Sequence, residues 1–244
     1  MLRDNVFGIS FEQFTICELS KKILDGCCDG SIIATPNVDH VVRYHNDQRF
    51  KEIYSKVDCL VNDSRILKLL SSLGVTNKIT SLVPGSDLTK ALFDKAVAGT
   101  CFCVIGGSDE TIGVVRKKYP NIEIDHYNPP MGFITSEAEV EKCIQFIKKS
   151  SSSVAFLAVG SPRQEELALR VKNAGSSSAL LCIGASILFL SGEEKRAPKI
   201  LQHLNLEWLF RLLNDPKRLA RRYLIDGPKI LKIFALEVLD HKRN

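Results

Sequence analysis

Apolar residues along the chain fall into short runs separated by amphipathic stretches, and this alternation sets the fold class. Val6–Ser10 reads as a first strand, and Thr15–Leu24 as a helix with apolar positions at 16, 19, 23 and 24. Ser31–Ala34 is a second strand, ending in Thr35-Pro36-Asn37-Val38-Asp39-His40. Proline after Thr35 holds that residue extended and places a helix start just beyond it. Helical patterns over about 38–45 and 47–56 lead to Cys59-Leu60-Val61-Asn62-Asp63-Ser64, read as a central buried strand that ends in a polar turn. A helix over 65–73 stops at Gly74, and another follows Val83-Pro84-Gly85, with Ser86 or Asp87 as its cap, to about 98. Strands at Cys101–Ile105, Ile122–Tyr127, Val154–Val159 and Ala179–Ile183 then alternate with helices ending near 119, 149 and 174. Ser150–Ser153 is too short a linker to separate domains.

Alternation of this kind predicts an α/β fold, a Rossmann-like, mostly parallel sheet covered by helices on both faces. The pattern changes after Gly192. Residues 199–239 carry no strand signal, only helical segments rich in Arg and Lys. The expected organisation is a catalytic domain over 1–194 and a basic helical appendage over 195–244, with Trp208 as an anchor of that appendage.

Charge sharpens this division. The 244 residues carry a formal net charge of +5, yet residues 195–244 alone hold 12 Lys/Arg against 5 Asp/Glu, so the rest of the chain is slightly acidic. The tail is therefore the part suited to anions, and its apolar residues 230–239 add an expected attachment to an anionic membrane surface. Eight cysteines include no CxxC pair and no companion histidines for zinc, so they are read as buried, reduced thiols of a cytosolic protein. No signal-peptide core is evident, and no apolar run approaches the roughly 20 residues needed to span a bilayer.

In an open α/β sheet ligands bind beyond the carboxyl ends of the strands, which makes Asp63 a candidate catalytic base. No GxGxxG and no GK[ST] loop occurs, which counts against a nicotinamide oxidoreductase and a phosphate-loop enzyme. Three other strand-to-helix turns could hold a diphosphate at a helix N-terminus: Gly85-Ser86-Asp87, Gly106-Gly107-Ser108 and Gly160-Ser161-Pro162-Arg163. Without an Asp-x-Asp pair to carry a metal, helix dipoles and arginines would have to stabilise a departing diphosphate. A nucleic-acid-binding module remains a rival for the basic tail, although that tail shows no recognition signature and no interleaved aromatics. His40, His45 and His126 are read as surface or structural, with nothing to pair them.

An ordered set of stretches resembles the WecG/TagA/CpsF glycosyltransferases over nearly the whole chain. These are Thr35–His40, Asn62-Asp63, Gly85–Leu88, Gly160–Glu165, Gly184–Ser186, Arg196–Pro198, Glu207–Leu212, Asp215–Arg218 and Arg221–Tyr223. The resemblance implies inverting, metal-independent transfer of N-acetylmannosamine or a related sugar from a UDP donor, with no cofactor. The implied acceptor is a polyprenyl-diphosphate-linked sugar at the cytoplasmic face of the membrane, and the product a bacterial surface polymer. It also implies that Asp63 is the base, with Thr35 and Asn37 in the same pocket and Thr35 grouped with Asp63 as catalytic. Gln164, with Glu165 beside it, falls in the nucleotide-sugar loop. Arg211, Arg218, Arg221 and Arg222 would close over the site and meet diphosphate, and Arg196 joins the substrate-binding set. Two positions depart from the family pattern: Ser64 replaces a glycine, and Ser81-Leu82 replaces Glu-Arg, which leaves donor identity open, with Arg65 as a substitute for the missing cation. Whether copies of the chain form a homo-oligomer is also open.

Overall fold

A computed structural model describes residues 3–73, 78–198, 200–201 and 204–241. The chain opens with an antiparallel hairpin, β1 (Arg3–Val6) and β2 (Ile9–Glu12), separate from the main sheet. The expected single strand over Val6–Ser10 is therefore corrected to a turn. Phe7 and Gly8 both take positive φ, 56° and 71°, the backbone of a two-residue hairpin loop. Phenylalanine is not a turn former, so the sequence hides this bend. It is held by burial of the ring and by two long-range bonds: Phe7 N–H donates to Glu237 Oε1 at 2.9 Å, and the Phe7 carbonyl meets His45 Nε2 at 2.9 Å.

The main sheet has six parallel strands in the order β4-β3-β8-β7-β5-β6: β3 (Ile32–Ala34), β4 (Cys59–Leu60), β5 (Cys101–Ile105), β6 (Glu123–Tyr127), β7 (Val154–Leu157) and β8 (Ala179–Cys182). The stretch read as the central strand is thus the edge strand, only two residues long, and the centre belongs to β8 and β7. Successive strand residues face opposite cores, as the pleat requires. Ile32, Cys103, Ala155 and Leu180 enter one core, and Ile33, Phe102, Phe156 and Leu181 the other.

The first core is covered by α2 (Val38–Asn46), α3 (Gln48–Tyr54), α4 (Arg65–Ser72), α7 (Glu137–Lys149) and α8 (Arg163–Asn173). The second is covered by α1 (Ile16–Leu24), α5 (Gly85–Lys95), α6 (Asp109–Lys118) and α9 (Ser186–Ser191). Gly74, the expected stop of α4, lies outside the described residues. Neither Ser86 nor Asp87 caps α5. Pro84 occupies the N-cap position and offers no side-chain cap; the first amide of the helix, Gly85 N–H, donates to Asp63 instead. All eight cysteines are free thiols, but only Cys103, Cys143 and Cys182 are buried.

The tail forms α10 (Glu207–Asn214), α11 (Pro216–Ala220), a π-helical turn (Arg221–Asp226) and α12 (Lys229–His241). It folds back on the first core: Ile230 is 3% exposed there, and Ile233 and Phe234 pack beside it. Trp208 stands edge-on to Tyr223, their centroids 6.1 Å apart. No described helix is long and apolar enough to cross a membrane. Ile230→Ala leaves a cavity where tail and core meet, and is expected to cost about 3 kcal/mol in denaturant unfolding.

Candidate functional site

Parallel strands carry their carboxyl ends to one edge of the sheet, and the site lies there. After β3 the chain enters α2 on one face, whereas after β8 it enters α9 on the other. A crevice must open where neighbouring connections part in this way, and ligands of open α/β sheets bind in it. Thr35 follows β3 on one side and Gly184-Ala185-Ser186 follow β8 on the other. The N-terminus of α5 reaches into the gap. A Cβ added to Gly85 would stand 2.9 Å from Thr35 Oγ1 and 3.1 Å from Ser186 Oγ, so only glycine permits this approach.

Asp63 is brought to the same place from the edge strand. Its N–H donates to the Pro36 carbonyl at 3.0 Å, and the Gly85 N–H donates to its Oδ1 at 3.3 Å. Buried Asn62 shapes the turn: its Oδ1 accepts from Ser64 N–H at 2.9 Å, its Nδ2 donates to the Ser64 carbonyl at 3.0 Å, and its carbonyl accepts from Val83 N–H at 2.7 Å. Ser64 caps α4 by accepting from Leu67 N–H. Desolvation pushes the Asp63 carboxyl up to about 6, with Glu207 adding to the rise, while Arg211, His40 and the Gly85 amide oppose it. A carboxyl in that range is a base near neutrality that still binds a proton readily, as proton abstraction needs.

Arg211 lies over the Phe189 ring at 4.8 Å and faces Glu207 at 3.6 Å, with its Nε buried and without a hydrogen-bond partner. Arg222 donates to Asn37 Oδ1 at 3.2 Å and stands 3.6 Å from Asp39, and its Nε is likewise without a hydrogen-bond partner. The other two tail arginines are elsewhere. Arg218 pairs with Asp215 at 2.6 Å and Glu194 at 3.0 Å, and the Arg221 side chain is 85% exposed, 3.8 Å from Asp226. Arg196 bonds to Asp87 and to Ser86 Oγ on the first turn of α5.

Of the three glycine turns, those preceding α5 and α8 lead into helices whose N-cap residue, a proline in each, offers no side-chain cap. The turn after β5 differs, because Ser108 caps α6 by accepting from Thr111 N–H at 3.1 Å. Gly106 and Gly107 have φ of 96° and 81°, and a Cβ on Gly106 would press on Ala158 and Val159 of the turn after β7. In that turn, Gly160 takes φ of 76° beside the Arg163 guanidinium, Ser161 Oγ is buried without a partner, and Pro162 occupies the N-cap of α8. Arg163 itself reaches Met131 Sδ at 3.7 Å.

Gln164 is buried, and its amide is spent inside the protein: Oε1 accepts from Gly184 N–H at 2.8 Å and Nε2 donates to Glu165 at 3.0 Å. Glu165 is wholly buried, with His40 Nε2 3.6 Å away and its second oxygen unpartnered. His40 also bonds through Nδ1 to Asn37 Oδ1 at 2.9 Å. The reading of the three histidines as unpaired is thus corrected. His40 pairs with Asn37 and Glu165, His45 with Phe7, and His126 with the Gly106 and Gly107 carbonyls and Asp109. The signal for His40 was its place three residues after the N-cap Asn37, where a side chain can reach back to the cap. Among the described residues no group of three or more His, Cys, Asp or Glu side chains is arranged to hold a metal ion.

The tightness around Gly85 can be measured. Gly85→Ala is expected to destabilise by about 1–3 kcal/mol as Thr35 and Ser186 are displaced. Gly113→Ala is the control: it sits within α6 with nothing within 4 Å of a new Cβ, and is expected to stabilise by roughly 0.5–1 kcal/mol on the same denaturation curve.

Comparison with known proteins gives this geometry its family. A protein of Staphylococcus aureus (strain MW2) named N-acetylglucosaminyldiphosphoundecaprenol N-acetyl-beta-D-mannosaminyltransferase is 26% identical over 249 residues, covering 98% of this chain and 93% of its own. A protein of the same name from Bacillus spizizenii (strain ATCC 23059 / NRRL B-14472 / W23) is 29% identical over 222 residues, covering 88% and 80%. The profile of the family described as glycosyl transferase WecG/TagA/CpsF matches residues 4–244, and the chain belongs to that family of glycosyltransferases.

Proposed function

We propose that the protein transfers N-acetylmannosamine, or a related hexose or uronic acid, from a UDP-sugar to a polyprenyl-diphosphate-linked sugar in bacterial surface-polymer synthesis. The observation that carries this reading is Asp63: a carboxyl raised to about 6, in the switch-point crevice, accepting from the first amide of α5 and close to the charge of Arg211. The relatives' printed acceptor, an N-acetylglucosaminyl diphosphoundecaprenol, supplies the substrate class.

In the proposed step Asp63 takes the proton of the acceptor hydroxyl as its oxygen bonds to the anomeric carbon from the face opposite the leaving group. The bond from that carbon to the phosphate oxygen breaks, and UDP departs with the electron pair. Negative charge then grows on the diphosphate. The first turn of α5, where the Gly85 N–H already meets Asp63, the first turn of α8, and the guanidinium charges of Arg211 and Arg222 are suited to receive it. This supports a reaction in which fixed protein charge, rather than a metal, meets the leaving group. Thr35 and Asn37 line the acceptor side, and Gln164 braces the Gly184 turn against α8. Leu224, Ile225, Leu231, Leu236 and Leu239 are exposed on the tail among Lys217, Arg221 and Lys232. Such a surface suits peripheral attachment to anionic lipid on the cytoplasmic face.

UDP release with a panel of UDP-sugars and a detergent-solubilised polyprenyl-diphosphate sugar tests the reading. Acceptor-dependent release should collapse in Asp63→Asn, and release unchanged by the substitution would remove Asp63 from the base role. The base must be unprotonated, so kcat/KM should fall as pH drops through about 6, the value of the Asp63 carboxyl. The same group has a stability signature of the opposite sense. Its folded pKa lies above the ordinary value of 3.8, so ionisation disfavours the fold as pH rises from about 4 to 6. Asp63→Asn should therefore be at least as stable as the parent at pH 7.5 in thermal melts, with that advantage gone at pH 4. Arg211→Ala is expected to lower kcat on the order of 100-fold, the scale of losing one preorganised charge partner at a leaving group.

A further inference from the structure

α4 starts two residues after Asp63 and runs away from the crevice. Between it and the extended segment 78–82 lies a cleft of about 540 Å³. Arg65, Lys68 and Lys78 line it, with Leu69, Ile79 and Leu82, and no acidic side chain is among its walls. Lys68 Nζ donates to the Thr80 carbonyl and so ties the two walls together. Arg65 and Lys78 make no ion pair or hydrogen bond among the described residues. Helical spacing puts Arg65, Leu69 and Leu73 on one line, and the last two are 47% and 63% exposed. Outward from the Asp63 carboxyl in the crevice, the surface thus presents cations and then an apolar strip.

That order is the order of chemical groups in a lipid-linked sugar: reacting hydroxyl, sugar ring, diphosphate, isoprenoid chain. We propose that this cleft binds the diphosphate and the first isoprene units of the acceptor, with Arg65, Lys68 and Lys78 on the phosphates and Leu69, Leu82 and Leu73 against the hydrocarbon. The assignment rests on the acceptor class proposed above. It also gives the cleft's cations a role separate from that of Arg211 and Arg222, which face the departing UDP. The four-residue step from Arg65 to Leu69 rises about 6 Å along the helix, which places the phosphate and lipid contacts about one helical turn apart. Every lining cation faces a dianionic group, and every exposed leucine on the line faces chain that would otherwise meet water.

Calorimetric titration of the full chain with farnesyl diphosphate tests this, with saturating UDP present to occupy the donor's diphosphate contacts. The parent should bind farnesyl diphosphate more tightly than inorganic diphosphate or farnesol, because both halves of the ligand are used. Arg65→Ala combined with Lys78→Glu should weaken farnesyl diphosphate binding at least 10-fold. Leu69→Gln should weaken farnesyl diphosphate and leave inorganic diphosphate unchanged. With a polyprenyl-diphosphate sugar, the charge variant should raise the acceptor KM about 10-fold while the donor KM stays within twofold. Binding unaffected by the charge variant, or inorganic diphosphate bound as tightly as farnesyl diphosphate, would overturn the cleft. A parent that shows the charge-dependent binding yet transfers no sugar would leave the cleft standing and overturn the reaction.

Discussion

The approach of α5 to the ends of β3 and β8 is the constraint on which the site depends. A missing side chain at Gly85 lets a helix N-terminus sit against Thr35 and Ser186, and the same residue's amide then reaches Asp63. Positive potential from that helix end and from Arg211 offsets only part of the desolvation of the carboxyl. The balance leaves the carboxyl raised to about 6. A more exposed Asp63 would be too weak a base, and a fully paired one would hold its charge too firmly.

Behind this front lies a second polar layer. Glu165, His40, Asn37 and Gln164 form a connected set that joins α8, α2 and the Gly184 turn, and Arg222 of the tail joins it through Asn37. The Glu165 carboxyl group is wholly buried, with Gln164 donating to one oxygen and the other without a partner. Burial and then Glu165 also push the hydroxyl of Tyr54 well above its ordinary range. What the layer supplies is geometry: the crevice walls and the tail arginine share one set of hydrogen bonds.

Much of the fold was legible in the sequence because pleat and helix periods leave separate marks. The strands of the parallel sheet and the helices between them lie where apolar runs and amphipathic stretches alternate. Strand order leaves no such mark, so Cys59-Leu60, apolar enough for a centre, proved to be an edge. The turn at Phe7 was hidden because its positive φ is secured by Glu237 and His45, residues far away in the chain. The site was legible in part for the same reason. Asp63, Thr35 and Gly85 sit at element ends that a local pattern announces. The pairing of His40 with Glu165 depends on two strands being neighbours, which no local pattern records. Nor could spacing separate Arg211 and Arg222, turned inward, from Arg218 and Arg221, turned to solvent.

The pairing of β3 with β8 also bears on how the molecule is made. Ile32 aligns with Leu180 and Ala34 with Cys182, so the first strand of the sheet finds its inner partner only after the last has been synthesised. Until then β3 has hydrogen-bonding groups open along one side, and the crevice has only one wall. Contacts of such sequence separation make for slow closure. With Phe7 also waiting for Glu237, neither the sheet nor the opening hairpin has its full set of bonds until distant parts of the chain have met.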